Sequence, residues 1–363
     1  MKKFAVLLLA LAMLVSLAAC GQTPSNEPAA SESAAPASEA PAEKPYDGKT
    51  WNIKAAVTQS DNGQESAEIS WLNSFKAEVE EKTQGAVTVD IYPGGQLGTD
   101  AEVVQGLAGN TIEVGFFNYS NLNSVYAPTM LMSCPGVFSS EEECDAIMNG
   151  EWGTNFHSEM EAATGVKIIS CFSNGFRCFT TSNKELTTVD TAKGVTFRTM
   201  TSPVSIVMVE ALGANAVPMA SSEMYTAMQN GTVDGQENPI VNILNDKTYE
   251  VQKYFVMDKH IASIAAVGVS SQFFSELPAE IQEIILTAAD NATVIAQEMV
   301  ARINEEGLTK LEEYGMSCYI PTEEELADWH AAISQPCMDY VRGEIGDETV
   351  DSIQQAIDAY RAG

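Results

Sequence analysis

Apolar residues along this chain fall into two alternating rhythms. Trp51–Thr58 and Val87–Tyr92 read as strands, and between them Ser66–Lys82 carries Ile69, Leu72, Phe75 and Val79 at helical spacing. Thr99-x-x-Glu102 is a capping box that opens a helix stopping at Gly109-Asn110, and Glu113–Phe117 is the next strand. Ser139-x-x-Glu142 opens another helix, which Asn149-Gly150 ends. Val166–Thr180 is a long strand-like run. From Gly194 the signals are dense. Val195–Thr199 is a strand, and Ser202-Pro203 supplies an N-cap and an N1 proline for the helix Val204–Leu212, closed by Gly213. Asn215–Met219 is a strand, and Ser221-Ser222 cap the helix Glu223–Gln229, stopped by Asn230-Gly231. Leu277–Asn304 is a long amphipathic helix with Ile281, Ile284, Ile285, Ala288, Ala289, Ala292, Ile295, Met299 and Ile303 on one stripe. Repeated strand–helix–strand units predict an α/β fold with largely parallel sheets. The stretch from Tyr46 to Gly363 exceeds what one core usually organises, which predicts two domains.

The start of the chain changes the picture. Met1-Lys2-Lys3 precedes the short apolar run Phe4–Ala19, which reads as a signal peptide rather than a spanning helix. Leu17-Ala18-Ala19-Cys20 resembles the lipobox of bacterial lipoproteins, in which Cys20 would be lipidated and become the first mature residue. Residues 21–46 are mostly Ala, Ser, Pro and Glu, the composition of a flexible tether. No second long apolar segment follows, so the lipid is the expected link to the membrane. A formal charge of −31 argues against a nucleic-acid partner, which needs basic surface. Seven cysteines include Cys20; the other six are widely spread, and buried free thiols are the expectation, although Cys171 and Cys178 could meet across a bend. Three scattered histidines and the absence of paired cysteine spacing leave no metal or cofactor site to predict.

The chain has five arginines, and two of them, Arg177 and Arg198, stand in apolar, strand-like surroundings. A chain this acidic repels anions. To hold one it needs local positive charge in a planar, bidentate form, which a guanidinium offers. Arg198 falls near the carboxyl end of a strand, just before a helix N-terminus, where open α/β sheets bind ligands and free backbone N–H groups favour anions. Asn238 adds an amide nearby in sequence. Residues just beyond strand ends, Thr58, Gln59, Ser60, Asn118 and Tyr119, are further lining candidates, and Asn174 falls near the expected domain crossing. Asp234 and Glu237 lie three apart, but without a base or a substrate group beside them they read as ion-paired or solvated acids rather than a catalytic pair.

Val195-Thr196-Phe197-Arg198, Pro218-Met219-Ala220, Glu223-Met224-Tyr225 and above all Val233-Asp234-Gly235-Gln236-Glu237-Asn238-Pro239 resemble the DctP-like substrate-binding proteins of TRAP transporters. Gly175-Phe176-Arg177 and Tyr92-Pro93-Gly94-Gly95-Gln96-Leu97-Gly98 resemble two further elements of that family. The resemblance implies a periplasmic-binding-protein-like fold, with two α/β domains around a ligand cleft joined by hinge strands and a long spanning helix. On that pattern one domain comprises 47–174 plus 264–303 and the other 175–263 plus 304–363. It implies an organic-acid ligand whose carboxylate pairs with Arg198, assisted by Asn238 and Arg177. It also implies delivery to a small and a large membrane subunit driven by an ion gradient, with no turnover. Ser221 occupies a position that is often aromatic in the family; a serine there removes a stacking surface and leaves space or a hydroxyl. Two other readings are a lipoprotein enzyme acting on acidic metabolites, for which no nucleophile elbow or metal motif is present, and a sensory partner of a membrane receptor.

Overall fold

The computed structural model describes residues 45–363. The signal segment 1–20, Cys20 and all but the end of the expected tether lie outside the described residues. Of the tether, Tyr46 already packs edge-on against Trp51, with ring centroids 6.0 Å apart.

The first elements are β1 (Trp51–Ala56), α1 (Ala67–Lys82), β2 (Val87–Tyr92), α2 (Asp100–Ala108) and β3 (Val114–Asn118). Next come α3 (Glu141–Met148), α4 (Glu151–Thr164), β4 (Val166–Thr181), α5 (Val189–Ala192) and β5 (Thr196–Thr199). They are followed by α6 (Pro203–Ala211), β6 (Asn215–Pro218), α7 (Ser221–Gln229), β7 (Gly235–Asn238), α8 (Ile240–Asn245) and β8 (Tyr254–Val256). The chain closes with β9 (Ile261–Ser270), α9 (Ser271–Glu276), α10 (Ala279–Glu313), β10 (Ser317–Tyr319), α11 (Glu323–Ile345) and α12 (Asp347–Ala362).

Local chemistry sets most of these boundaries. The Ser66 hydroxyl accepts the Ile69 N–H at 3.2 Å and starts α1. Thr99 and Glu102 close the expected reciprocal box on α2. The cap of α3 lies one residue beyond the expected one: Ser140, not Ser139, accepts the Glu143 N–H, while Ser139 bonds the Glu143 carboxylate. Ser221 is likewise not a cap; Ala220 precedes it in extended conformation and α7 begins at Ser221 itself.

The strands run in the order β2-β1-β3-β9-β4-β7-β5-β6, with β8 and then β10 branching from β4. The β1/β2, β1/β3, β5/β6, β5/β7 and β8/β10 pairs are parallel. β9 and β4 run antiparallel to their neighbours, so the sheet is mixed rather than largely parallel. β4 binds the two parallel sets together. It pairs with β9 as far as Arg177 and with β7 from Cys178 onward. Its register slips between Ser173 and Phe176, where Gly175 adopts φ +91° against Asn304 of α10. Gly235 needs its bare Cα for a different reason: a Cβ there would collide with the Thr180 carbonyl and the Phe197 ring.

One core lies between the β1–β3/β9 part of the sheet and helices α1 and α10, with Trp71, Phe75, Phe116, Phe172 and Ile285 fully covered. The α10 helix, 35 residues long, is the expected spanning helix but longer at its C-terminal end. Its Ala288, Ala289, Ala292 and Ala296 belong to that core, and its far end, at Leu311, packs with Ile243, Phe255 and Met316 of the other half. Ile295 does not share the buried stripe; it is 42% exposed. Among the described residues, no helix is long and apolar enough to cross a membrane.

Candidate ligand-binding site

The carboxyl ends of β1, β3, β5 and β7 converge on one cavity. Thr58 follows β1, Asn118 ends β3, Arg198 lies in β5 and Asn238 ends β7, and all four line it, together with Arg177 from β4 and Ser221 from α7. This inner chamber is about 70 Å³. Thr58, Asp100, Asn121, Arg198 and Ser221 also line an adjoining outer chamber of about 340 Å³, whose other walls include Gly95, Gly98, Glu102 and Thr201. With serine at 221, no ring separates the two spaces.

Arg198 is 3% exposed. It donates through Nε and Nη2 to the Met219 carbonyl oxygen at 3.2 and 2.9 Å, and Nη1 has no partner among the described residues. It forms no ion pair there. Burial is the main influence on the guanidinium and draws its pKa down to about 10, which still leaves it cationic at neutral pH. Arg177 is just as buried, but its Nε and Nη2 are committed within the protein. Its Nε and Nη2 clasp the Glu237 carboxylate, with Nη2 to Oε1 at 2.9 Å, and Nη2 also reaches the Glu237 carbonyl at 2.5 Å. Glu237 also meets His260 Nε2 at 3.2 Å, and His260 Nδ1 meets Asp258 at 2.5 Å. Burial opposes the Glu237 charge, but Arg177 and His260 outweigh it and hold the carboxyl at about 2. Burial likewise opposes the imidazolium, and Asp258 and Glu237 outweigh it, raising His260 to about 9. This chain of alternating charges ties β4, β7 and the segment leading into β9 together behind the cavity.

The other expected lining residues differ in what they offer. Asn118 donates to Ser263 at 2.9 Å. Thr58 donates to Asp100 at 2.9 Å. Asn238 donates to Gln236 at 2.5 Å, so its amide nitrogen is already engaged. Tyr119 does not line the cavity. It is wholly buried between Phe117 and Phe156, with its hydroxyl 2.7 Å from His157, because the chain turns into a 3-10 helix right after Asn118.

Glu68, Asp100, Asn121, Asn174, Asn242 and Ser263 complete the polar wall. Asp100 accepts the Asn118 N–H at 3.0 Å and the Asn121 amide at 2.8 Å, yet burial raises its pKa. Burial raises Glu68 too. Burial, reinforced by Glu68, pushes nearby Asp246 up to about 6. Asp100 could have been suspected from its place beside the capping Thr99, and Glu68 had no signal beyond its position in the first turn of a helix. Side-chain amides also bridge the two halves of the sheet here. Asn242 of α8 donates to Gln59 at 3.1 Å, and Asn174 donates to Glu68 and Asn242 at 3.1 and 3.0 Å.

A buried guanidinium that forms no ion pair among the described residues, at the carboxyl ends of parallel strands, suits the holding of an anion. Residues 60–342 match the bacterial extracellular solute-binding protein family 7, DctP. The chain belongs to this family. Its members are transporter receptors rather than enzymes. This solute-binding protein is 31% identical to the C4-dicarboxylate-binding periplasmic protein DctP of Rhodobacter capsulatus over 284 residues, 78% of this chain and 84% of that one. It resembles a TRAP periplasmic solute-binding protein from Ochrobactrum anthropi at 33% identity and TM-score 0.75, covering 87% of this chain and 97% of the other. It also resembles the galactonate-bound sugar acid binding protein DctPAm of Advenella mimigardefordensis at 26% identity and TM-score 0.81, covering 86% and 99%. The two-domain α/β architecture is shared with these neighbours.

Proposed function

We propose that this chain is the extracytoplasmic receptor of a TRAP-type secondary transporter, that it takes up an organic acid, and that Arg198 holds the acid's carboxylate. The observation that carries this reading is the Arg198 guanidinium, 3% exposed and bonded only to a neutral carbonyl. Such a charge is costly to bury, and a ligand carboxylate compensates it in a site of low dielectric, where the pair is strong. Arg177, held by Glu237, acts by fixing the wall behind the carboxylate and adding its remaining Nη1 edge.

The two lobes, 47–174 plus 264–303 and 175–263 plus 304–363, close over the acid, with the β4 register slip at Gly175 and the α10 helix as the parts that bend. The closed form is then presented to the small and large membrane subunits. Diacylation of Cys20 anchors the receptor to the outer face of the cell membrane, and residues 21–46 give it reach.

A thermal-shift screen over C4-dicarboxylates, sugar acids, 2-oxo acids and aromatic acids tests the central claim, since a ligand of the folded form alone raises the melting point. At least one class is expected to do so, and Arg198→Ala is expected to abolish the shift. Binding of the same acid to the variant within about threefold of the native affinity, well under 1.4 kcal/mol, removes Arg198 from the site. Fractionation of cells carrying Cys20→Ser tests the anchor: the variant should leave the membrane fraction.

A further inference from the structure

Three carboxylates share the inner end of the cleft with the Arg198 guanidinium. Glu68 of α1 and Asp100 of α2 line the chamber, and Asp246, just beyond α8, is bonded to Gln59 of the same wall. The charges behind β7 offset one another, Arg177 with Glu237 and His260 with Asp258. Glu65 pairs with Arg302 and Lys310 at the surface, and no lysine lines either chamber. The three acids differ in how firmly the protein holds their charge. Asp100 accepts hydrogen bonds from Thr58, the Asn118 N–H and Asn121. Glu68 accepts from the side chains of Ser66 and Asn174. Asp246 accepts from Gln59 alone, at 2.7 Å on Oδ1, and its Oδ2 accepts no hydrogen bond among the described residues. Hydrogen bonds to the ionised form keep a desolvated carboxylate charged, so Asp246 is the least supported of the three. Burial first, and then Glu68, push it up to about 6, against Gln59 and Arg198. Burial also raises Glu68, with Asp100 adding to it, and raises Asp100 against the pull of Arg198.

An organic acid brings a fourth negative charge to this place and engages the guanidinium that offset the others. We infer that the site takes up a proton from solution together with its acid, and that Asp246 receives it. The proton forms an O–H bond on the free Oδ2 while Oδ1 keeps its bond from Gln59, and no other bond is made or broken. This adds a second ligand to the receptor reading above and rests on it. The two ligands favour each other reciprocally. Above about pH 6 the carboxylate is ionised before the acid arrives, so each binding event draws on solvent protons and affinity falls as pH rises. Below that value the proton is already in place and affinity levels off. Arg198, at about 10, stays charged throughout.

Titration calorimetry with galactonate, erythronate and orotate tests this, since all three are ionised between pH 6 and pH 8 and cannot bring the proton themselves. Whichever binds is titrated at pH 7 in phosphate and in Tris, whose heats of ionisation differ, so the difference in binding heat counts protons taken from the buffer. At that pH His260, at about 9, is already protonated, and His157, at about 4, is neutral. A tenfold tighter hold on the proton in the complex gives an uptake of about 0.4 proton per acid, and binding about fivefold tighter at pH 6 than at pH 8. Asp246→Asn stands in for the protonated form. It is expected to bind at pH 8 about as tightly as the native protein does at pH 6, with uptake below about 0.1 proton, a gain that mere loosening of the wall does not produce. Infrared difference spectra of the native protein give a reading free of any variant: acid binding should add a protonated-carboxyl band. Heats that do not depend on the buffer, absence of that band, or uptake undiminished in Asp246→Asn overturn the inference and leave the receptor intact. Failure of these acids and of every class in the broader screen overturns the receptor reading itself.

Discussion

Arg177 and Arg198 line the same cavity and are equally buried, at 3% exposure each, yet the fold treats them in opposite ways. Arg177 is locked to Glu237, which is locked to His260, which is locked to Asp258. Arg198 donates to a backbone carbonyl and forms no ion pair among the described residues, with Glu237, Asp246 and Asp100 favouring its charge only from beyond ion-pair distance. The first arrangement finds its counter-charges within the protein and joins two strands, β4 and β7, to the segment that enters β9. The second is incomplete without a partner from outside. The difference shows how one chemical group serves architecture in one place and recognition a few ångströms on: what separates the roles is whether the chain supplies the counter-charge.

The sharpest way to break the contrast is Glu237→Ala. It strands Arg177 as a buried cation, leaves His260 with Asp258 alone, and is expected to cost about 3–5 kcal/mol in urea unfolding. A loss below about 1 kcal/mol denies the network its structural role. Arg198→Ala is the counterpart. Affinity for the cognate acid should fall by about 2–5 kcal/mol, some 30- to several-thousand-fold, while unfolding without added acid stays level or improves. If both variants destabilise the fold alike, the distinction between the arginines collapses.

The pH profile of stability separates the same two regions. His260 sits at about 9, above its ordinary 6.5, so its contribution is full below pH 6.5 and fades as pH rises through 9. Glu237 sits at about 2, below its ordinary 4.5, so its contribution is full above pH 4.5 and is lost as pH falls toward 2. The alkaline loss should be on the order of 3 kcal/mol between pH 6 and pH 10 and should flatten in His260→Gln, as read by denaturant titration. Arg198→Ala should leave the profile between pH 6 and pH 9 unchanged, since its own titration lies at about 10. The smallest effect expected is on shape. Ser221→Phe puts a ring between the two chambers, so acids long enough to enter the outer one should lose about tenfold in affinity while the shortest keep theirs. Equal loss for all lengths means the outer chamber is not used.

Much of the scaffold was legible because it is written in local chemistry. Thr99 and Ser202 announce helix starts by hydroxyls placed to accept early backbone N–H groups, and these do so in the fold. Where neighbouring residues offered the same chemistry, the choice of frame slipped: Ser139 and Ser140 both precede a glutamate by three, and only packing selects Ser140. Alternation could not tell parallel from antiparallel, because β4 and β9 are covered on both faces and so carry no in-and-out pattern to read. In the site, Thr58, Asn118, Arg177, Arg198, Ser221 and Asn238 meet as strand-end logic and family resemblance suggested. Tyr119 does not, since one residue beyond the strand end the chain already turns inward. Glu68 and Asp100 lie far from one another in sequence and acquire meaning only when the sheet assembles them.

The depth of Arg198 has a kinetic consequence. The whole chain carries a formal charge of −31, so an approaching acid meets a repulsive field over nanometre distances, and dissolved salt weakens that field. The final contact is formed out of reach of mobile ions. Raising ionic strength should therefore speed capture and leave escape nearly untouched, the reverse of the behaviour of proteins that draw anions in with an exposed basic funnel.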